Sequence, residues 1–198
     1  MRIVVTNTKG GVGKTTTSMF LAAALARSGA VELWDADPQG SASEWALRAK
    51  EDGVPLGFPV RSVNRPQLRR RDTAGVDFIV VDTGPGDVQI LNDALAVSDV
   101  AIVPTSPSAI DMARTWETEV QASKVVETFI LLTQVDARTR SATEARKVLQ
   151  EAGVGYFDTV LPRREAIRQA FGSNPPNDLY GYEDVIDELM EVTNGRKA

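Results

Sequence analysis

The string Asn7-Thr8-Lys9-Gly10-Gly11-Val12-Gly13-Lys14-Thr15-Thr16 constrains this chain more than any other. It stands between an apolar run, Ile3-Val4-Val5, and a helical pattern that runs from Ser18 to Arg27. Strand, glycine-rich turn and helix in that order make a phosphate-binding loop. The glycines let successive backbone N–H groups turn inward around an anion without Cβ clashes. A helix beginning near Lys14 adds unpaired N–H groups and the positive end of its dipole. Gly10, Gly11, Val12, Gly13 and Thr16 are therefore expected to cradle phosphates, Lys14 to reach the β- and γ-phosphates, and the Thr15 hydroxyl to ligate Mg²⁺.

The chain then alternates strand-like and helix-like segments almost to its end. Val31–Trp34 is a short strand candidate, closed by Asp35-Ala36-Asp37-Pro38-Gln39-Gly40. Ser41 reads as the cap of a helix Ala42–Lys50, with Glu44 in capping-box position. The loop-rich stretch from Glu51 to Arg61 holds one edge strand at Phe58–Val60, and Pro66 to Asp72 reads as a short helix. Phe78–Val81 is a continuous apolar run, as a parallel strand buried on both faces requires. A helix reaches from the next loop to about Val97. Strands follow at Val100–Val103 (stopped by Pro104 and Pro107), Phe129–Thr133 and Tyr156–Leu161. Helices fall at Ile110–Val126, Ser141–Ala152, Arg163–Phe171 and Tyr182–Val192. The expected fold is α/β, a mostly parallel sheet covered by helices on both faces, in a single domain over residues 1–198. In such sheets ligands sit at the carboxyl ends of the strands, so the loops that follow strands carry the function.

One of those loops begins with Asp82, which ends a buried strand and can hold Mg²⁺ through a water, because Mg²⁺ dehydrates reluctantly. Gly84 and Gly86 would let that loop move with a γ-phosphate. Composition narrows the chemistry further. With no cysteine and no histidine, disulfides, thiolate metal sites and imidazole acid–base catalysis are all excluded, leaving carboxylates, lysines and a metal ion. A net charge of −5 argues against wholesale coating of nucleic acid without excluding a local basic face. No signal-peptide pattern opens the chain and no apolar run approaches the ~20 residues of a membrane span. A cytoplasmic protein without a membrane partner is expected.

Thr8 stands where the general pattern G-x-x-x-x-G-K-[ST] has glycine, and Lys9 directly precedes the paired glycines. That second lysine resembles the deviant Walker motif of the ParA/MinD family of P-loop ATPases. The resemblance implies ATP as cofactor with Mg²⁺, and an ATP-dependent sandwich homodimer in which Lys9 reaches the nucleotide of the other subunit. Asp35-Ala36-Asp37-Pro38-Gln39-Gly40 resembles the family's D-x-D-P-Q-G signature. By that likeness Asp37 orients the attacking water and Asp35 supports the metal site from behind. The family usually has proline where Gly84 stands, which implies a looser switch loop here. Pro104–Ser108 resembles the family's proline-marked loop near the dimer interface, and reads equally as an ordinary strand–helix connection. Val160–Arg164 resembles the segment that contacts adenine, assigning Pro162 and Arg163 there, with Gln134 a further adenine contact.

Asp136–Arg140 resembles a stretch whose arginine binds DNA without sequence preference in chromosomal ParA proteins. Arg138 and Arg140, with Arg164 and Arg168 near a second such region, are the implied DNA contacts, while Arg65 and Arg69–Arg71 read as a solvated face. The likeness extends over the whole chain. Its phosphate loop begins within ten residues of Met1, so the small plasmid-partition type, without an N-terminal DNA-binding domain, is the expected subgroup. The implied function is DNA segregation: an ATP-bound dimer, or a polymer of it, binds non-specific DNA and is released when a ParB-like, centromere-bound adaptor stimulates hydrolysis. A relative that positions another cargo through protein partners alone is the alternative. A membrane-cycling MinD-like role conflicts with the acidic tail Glu183–Leu189. A metabolic synthetase on this scaffold would lack the lysine at position 9.

Overall fold

Strands whose residues are apolar at every position need cover on both faces, and that requirement organises the molecule. The structure, a computed structural model, describes residues 1–70, 75–136 and 138–195. Six strands are present: β1 (Arg2–Val5), β2 (Val31–Asp35), β3 (Val60–Ser62), β4 (Phe78–Asp82), β5 (Val100–Thr105) and β6 (Glu127–Leu132). They form one all-parallel sheet in the order β3-β2-β4-β1-β5-β6. Alternate side chains sort to opposite faces. Ile3, Val5, Leu33, Val80 and Ile102 enter the core under α1 (Lys14–Leu25), α2 (Ser41–Glu51) and α8 (Tyr182–Gly195). Val4, Trp34, Ile79, Val81 and Ala101 face α3 (Arg65–Leu68) and α4 (Val88–Leu95). Val103, Ile130 and Leu132 pack with α5 (Ala109–Ala122) and α6 (Arg140–Ala152). The expected three-layer architecture is present, and every strand pair in the sheet is parallel.

Several boundaries differ from the sequence reading, each for a physical reason. The edge strand lies two residues later than expected, at Val60–Ser62, because it pairs in register with Leu33–Asp35. Ser41 does not cap α2: the cap is Gly40, in the left-handed region at φ 66°. The unpaired N–H of Ser43 is met instead by Asp35 Oδ2 at 2.8 Å, a cap supplied by the preceding strand. Pro104 lies inside β5 rather than ending it. Pairing with β1 stops at Val5↔Ile102, so on that side the missing N–H of Pro104 has no ladder partner to fail. Residues 156–161 form no strand; this segment follows β6 through bridges at Ile130↔Tyr156 and Val135↔Pro162. Helix α3 ends at Leu68, and Arg71 and Asp72 lie outside the described residues. The short helix α7 spans Glu165–Gln169.

Candidate nucleotide-binding site

The sheet order puts β2, β4 and β1 side by side, with Val5, Asp82 and Asp35 in register across their carboxyl ends. The three loops that leave those strands therefore converge on one place. Their cleft has a volume of about 740 Å³, within the range of small-molecule sites. It is lined by Gly10, Gly11, Gly13, Lys14, Thr15 and Thr16 of the glycine loop, by Asp37 and Gln39, and by Pro85. Gln134, Pro162 and Arg163 line its other side together with the α7 region.

Gly11 and Gly13 hold φ of 78° and 89°, a backbone open to glycine that lets the loop curl. The loop is anchored from outside. Asn7 Nδ2 donates to Pro104 O at 3.0 Å, the Thr8 N–H to Thr118 Oγ1 at 3.2 Å, and the Lys9 N–H to Asn7 Oδ1 at 3.0 Å. Lys14 arches back so that Nζ donates to Lys9 O at 2.8 Å. Burial pulls its ammonium below the usual lysine range, opposed by the charges of Asp82 and Asp37. A buried cation near two carboxylates and a ring of N–H groups is a site for polyanions.

Asp82 is fully buried. Its Oδ1 accepts from Ser18 Oγ at 2.9 Å, while Oδ2 has no hydrogen-bond partner. Burial raises its pKa to about 7, helped by the negative charges of Asp35 and Asp37 and opposed by the hydroxyls of Thr15 and Ser18. An orphaned buried carboxylate oxygen beside a threonine hydroxyl fits a hard divalent cation or its bound water. Among the described residues no group of three or more carboxylates could hold a metal by itself. Asp35 contributes differently. Its Oδ2 accepts from the Ser43 N–H and Oγ at 2.8 and 2.6 Å, and its Oδ1 from the Asp37 N–H at 3.2 Å. Both oxygens thus brace the Asp37 turn and the start of α2.

The raised pKa has a testable sign. A carboxyl that ionises near 7 in the folded chain and near 4 when unfolded binds more protons when folded across that interval. The metal-free protein should therefore lose stability from this group as pH rises from about 4 to 7. Thermal midpoints across that range, compared with Asp82→Asn, check this; the variant should show a flatter decline.

Asp37 lies over the loop after β4. Its Oδ1 accepts from the Gln39 N–H at 2.9 Å, and a Cβ built on Gly84 would come within 2.5 Å of the same oxygen. The bare Gly84 backbone is what lets the two loops touch. Lys9 faces away from the cleft lining and ion-pairs with Asp111 in the first turn of α5. Ser106 Oγ also donates to Asp111, and Ser108 caps α5 through the Asp111 N–H at 3.2 Å. The proline-marked loop thus places the partner of Lys9.

The arginines divide. Arg138 is bidentate on Asp136, Nε to Oδ1 at 3.0 Å and Nη2 to Oδ2 at 2.8 Å. Those bonds, with the Arg163 charge, hold the Asp136 carboxyl down at about 2. Arg140 begins α6 beside it. Arg164 and Arg168 instead line the nucleotide cleft, Arg168 standing 3.7 Å from Glu165. Arg65 and Arg69 both bind Asp93, tying α3 to α4.

Sequence reasoning missed Ser18 and Asp111. Ser18 carried a signal, since it lies four residues after Lys14 on the same helical face. Asp111 carried none, because the carboxylate that pairs with Lys9 is set by how α5 packs. Gln134, expected near adenine, lines the cleft, but its Nε2 donates to Gly11 O at 3.1 Å.

Residues 3–176 match the family model described as the CobQ/CobB/MinD/ParA nucleotide-binding domain. The chain is 40% identical over 203 aligned positions to the maintenance of carboxysome distribution protein A of Gloeobacter kilaueensis, covering 94% of this chain and 93% of that one. It is 32% identical to the chromosome-partitioning ATPase Soj of Thermus thermophilus, covering 96% and 95%. A putative plasmid partition protein from Borrelia burgdorferi, solved bound to AMPPNP, superposes with a TM-score of 0.78 at 18% identity, covering 96% and 98%, a likeness of fold.

Proposed function

From the premise that the chain belongs to the CobQ/CobB/MinD/ParA family of nucleotide-binding domains, we propose that it is a Mg²⁺-dependent ATPase that positions a large cargo by cycling between monomer and ATP-bound dimer. The observation that carries this is that Lys14 and Asp37 line one cleft, with the buried Asp82 close to Lys14, where the loops after three adjacent strands meet. One sheet holding all six strands supports a single nucleotide-binding domain.

Phosphoryl transfer to water depends on positioning and charge stabilisation more than on covalent chemistry. The phosphate loop holds the β- and γ-phosphates through its N–H groups and Lys14. Asp37 holds the water in line with the γ-phosphorus; the bond to the β–γ bridging oxygen breaks, and ADP leaves carrying that oxygen. Mg²⁺ on Thr15 and Asp82 would neutralise charge on the phosphate oxygens. Asp35 keeps Asp37 in place. Lys9 of the partner subunit adds a cation across the interface, and Pro162 and Arg163 flank the base.

For the cargo, a relative named for carboxysome distribution matches this chain over nearly the whole length of both. That favours a large protein body carried through an adaptor over a plasmid centromere bound by a ParB-like protein. Non-specific DNA serves as the track, contacted through Arg140 and, once freed from Asp136, Arg138. Arg164 and Arg168 act at the nucleotide cleft rather than on DNA. A membrane track is disfavoured: Val185, Ile186 and Leu189 of α8 are buried, so most of the apolar face of that helix is spent on the core, and no helix among the described residues is long and apolar enough to cross a membrane.

The test is DNA binding with ATP against ADP on random-sequence duplexes at several salt concentrations. Binding only with ATP is expected, with log affinity falling against log salt at about −0.9 per phosphate contact. Arg138→Ala with Arg140→Ala should flatten that slope. Binding absent in both nucleotide states at low salt would remove the DNA track and leave a switch that acts through protein partners alone.

A further inference from the structure

We propose that Gln134 is a positioning residue for the phosphate loop, holding the loop's N–H groups toward the anion. This rests on the nucleotide-binding reading above and deepens it. Gln134 is one of two non-glycine residues with a left-handed backbone among those described, at φ 54°. Non-glycine residues adopt such a conformation sparsely, and it persists where its surroundings enforce it. They do so here: the Thr133 N–H donates to Thr105 O at 2.8 Å and the Val135 N–H to Leu161 O at 3.0 Å, one on either side of it.

The side chain placed by this backbone donates from Nε2 to Gly11 O at 3.1 Å, and the neighbouring Thr133 Oγ1 lies 3.1 Å from Val12 O. Peptide groups are planar and trans, so a carbonyl and the following N–H point in opposite directions. Fixing Gly11 O toward the end of β6 therefore turns the Val12 N–H away from it, and fixing Val12 O does the same for the Gly13 N–H. Gly11 and Gly13 line the cleft together with Thr133 and Gln134, so the loop and the end of β6 share one wall of it, and a phosphate seated in the loop would meet the N–H side of these peptides. A loop in which these carbonyls were free could rotate a peptide and point an oxygen at the phosphate. Thr133 divides its one proton between Val12 O and Thr105 O, the latter at 3.3 Å. Gln134 supplies the donor dedicated to the loop.

A base contact and a loop-positioning role differ in what they recognise. The experiment measures affinities of the full chain for ATP, ADP and inorganic tripolyphosphate, which has no base, for wild type, Gln134→Gly and Gln134→Asn. Glycine accepts this backbone without strain, and asparagine tolerates it while its amide is one methylene too short. Both variants are expected to keep the thermal midpoint of the unliganded protein and to weaken all three ligands by a similar factor, about three- to tenfold for one lost hydrogen bond. A loss confined to ATP and ADP, with tripolyphosphate unchanged, would make Gln134 a base contact and overturn the proposal. Wild-type affinities in both variants, or a thermal midpoint that falls in step with affinity, would overturn it as well. A wild-type chain that binds none of the three overturns the nucleotide reading itself, which the Gln134 variants cannot do.

Discussion

Replacing Lys14 by alanine is expected to lower ATP affinity by about 100-fold or more, the scale on which truncating one partner of a desolvated charge pair acts. Lys14 is 7% exposed and its Nζ rests on Lys9 O, poised over the loop where a phosphate would replace that carbonyl. Burial already disfavours its charge in the free protein, so an incoming polyanion regains the missing Coulomb energy, and the alanine variant cannot. Lys9→Ala should behave otherwise. In the free chain Lys9 is paired with Asp111 and does not line its own cleft, so its loss should leave monomer ATP affinity within about twofold, the scale of removing one screened charge. What it should remove is ATP-dependent dimerisation, and turnover with it. Equilibrium nucleotide binding and light scattering on both variants separate the two roles. A Lys9→Ala protein that dimerises and turns over like wild type would place the cross-subunit function elsewhere, and a Lys14→Ala protein that still binds ATP tightly would undo the site.

Asp37→Ala is expected to retain ATP and Mg²⁺ while turnover falls by about 100-fold or more, the lower range for removing a group that handles the attacking water. Asp37 supplies no bond to the glycine loop; its Oδ1 meets the Gln39 N–H and the Gly84 backbone, so its removal spares the ground state. An interaction used only in the transition state changes the rate without changing substrate affinity. The consequence is a trapped ATP dimer, read as a stable species of doubled mass that persists after wild type has dissociated. Gly84→Ala supplies a control of geometry, because its methyl would enter the space of the Asp37 carboxylate. It should lower turnover in the same direction with ATP binding kept. Normal hydrolysis by Asp37→Ala would move the water-orienting role to another residue.

The glycine loop was legible in the sequence because its requirements are local: a strand before it, small residues where φ must be positive, and a helix after it. Asp82 was legible for a similar reason, since a continuous apolar run that stops at a carboxylate marks a buried strand end. Helix α4, expected to reach about Val97, ends at Leu95 and is capped by Asp87, whose Oδ1 accepts from the Gln89 and Ile90 N–H groups. The surroundings of the arginines were not legible. Arg138, Arg164 and Arg168 were all expected to contact DNA; the structure holds the Arg138 guanidinium on Asp136 and places Arg164 and Arg168 in the cleft lining, where the segment after β6 folds back over it.

By itself, then, the sequence determined the order of strands and helices, apart from the strand expected at Tyr156–Leu161, together with the glycine loop and the carboxylates at the strand ends, because periodicities of 2 and 3.6 residues and glycine's backbone freedom act between near neighbours. Only the tertiary structure decided which groups meet across the sheet. Ser18 and Asp82 are 64 residues apart, Gln134 and Gly11 are 123 apart, and Lys9 finds Asp111 on another helix. Those pairings follow from strand order and parallel register, which bring the ends of β2, β4 and β1 together and carry β6 back beside the loop. Nothing in residue spacing encodes that register; it is set by which arrangement of the whole sheet buries both of its faces.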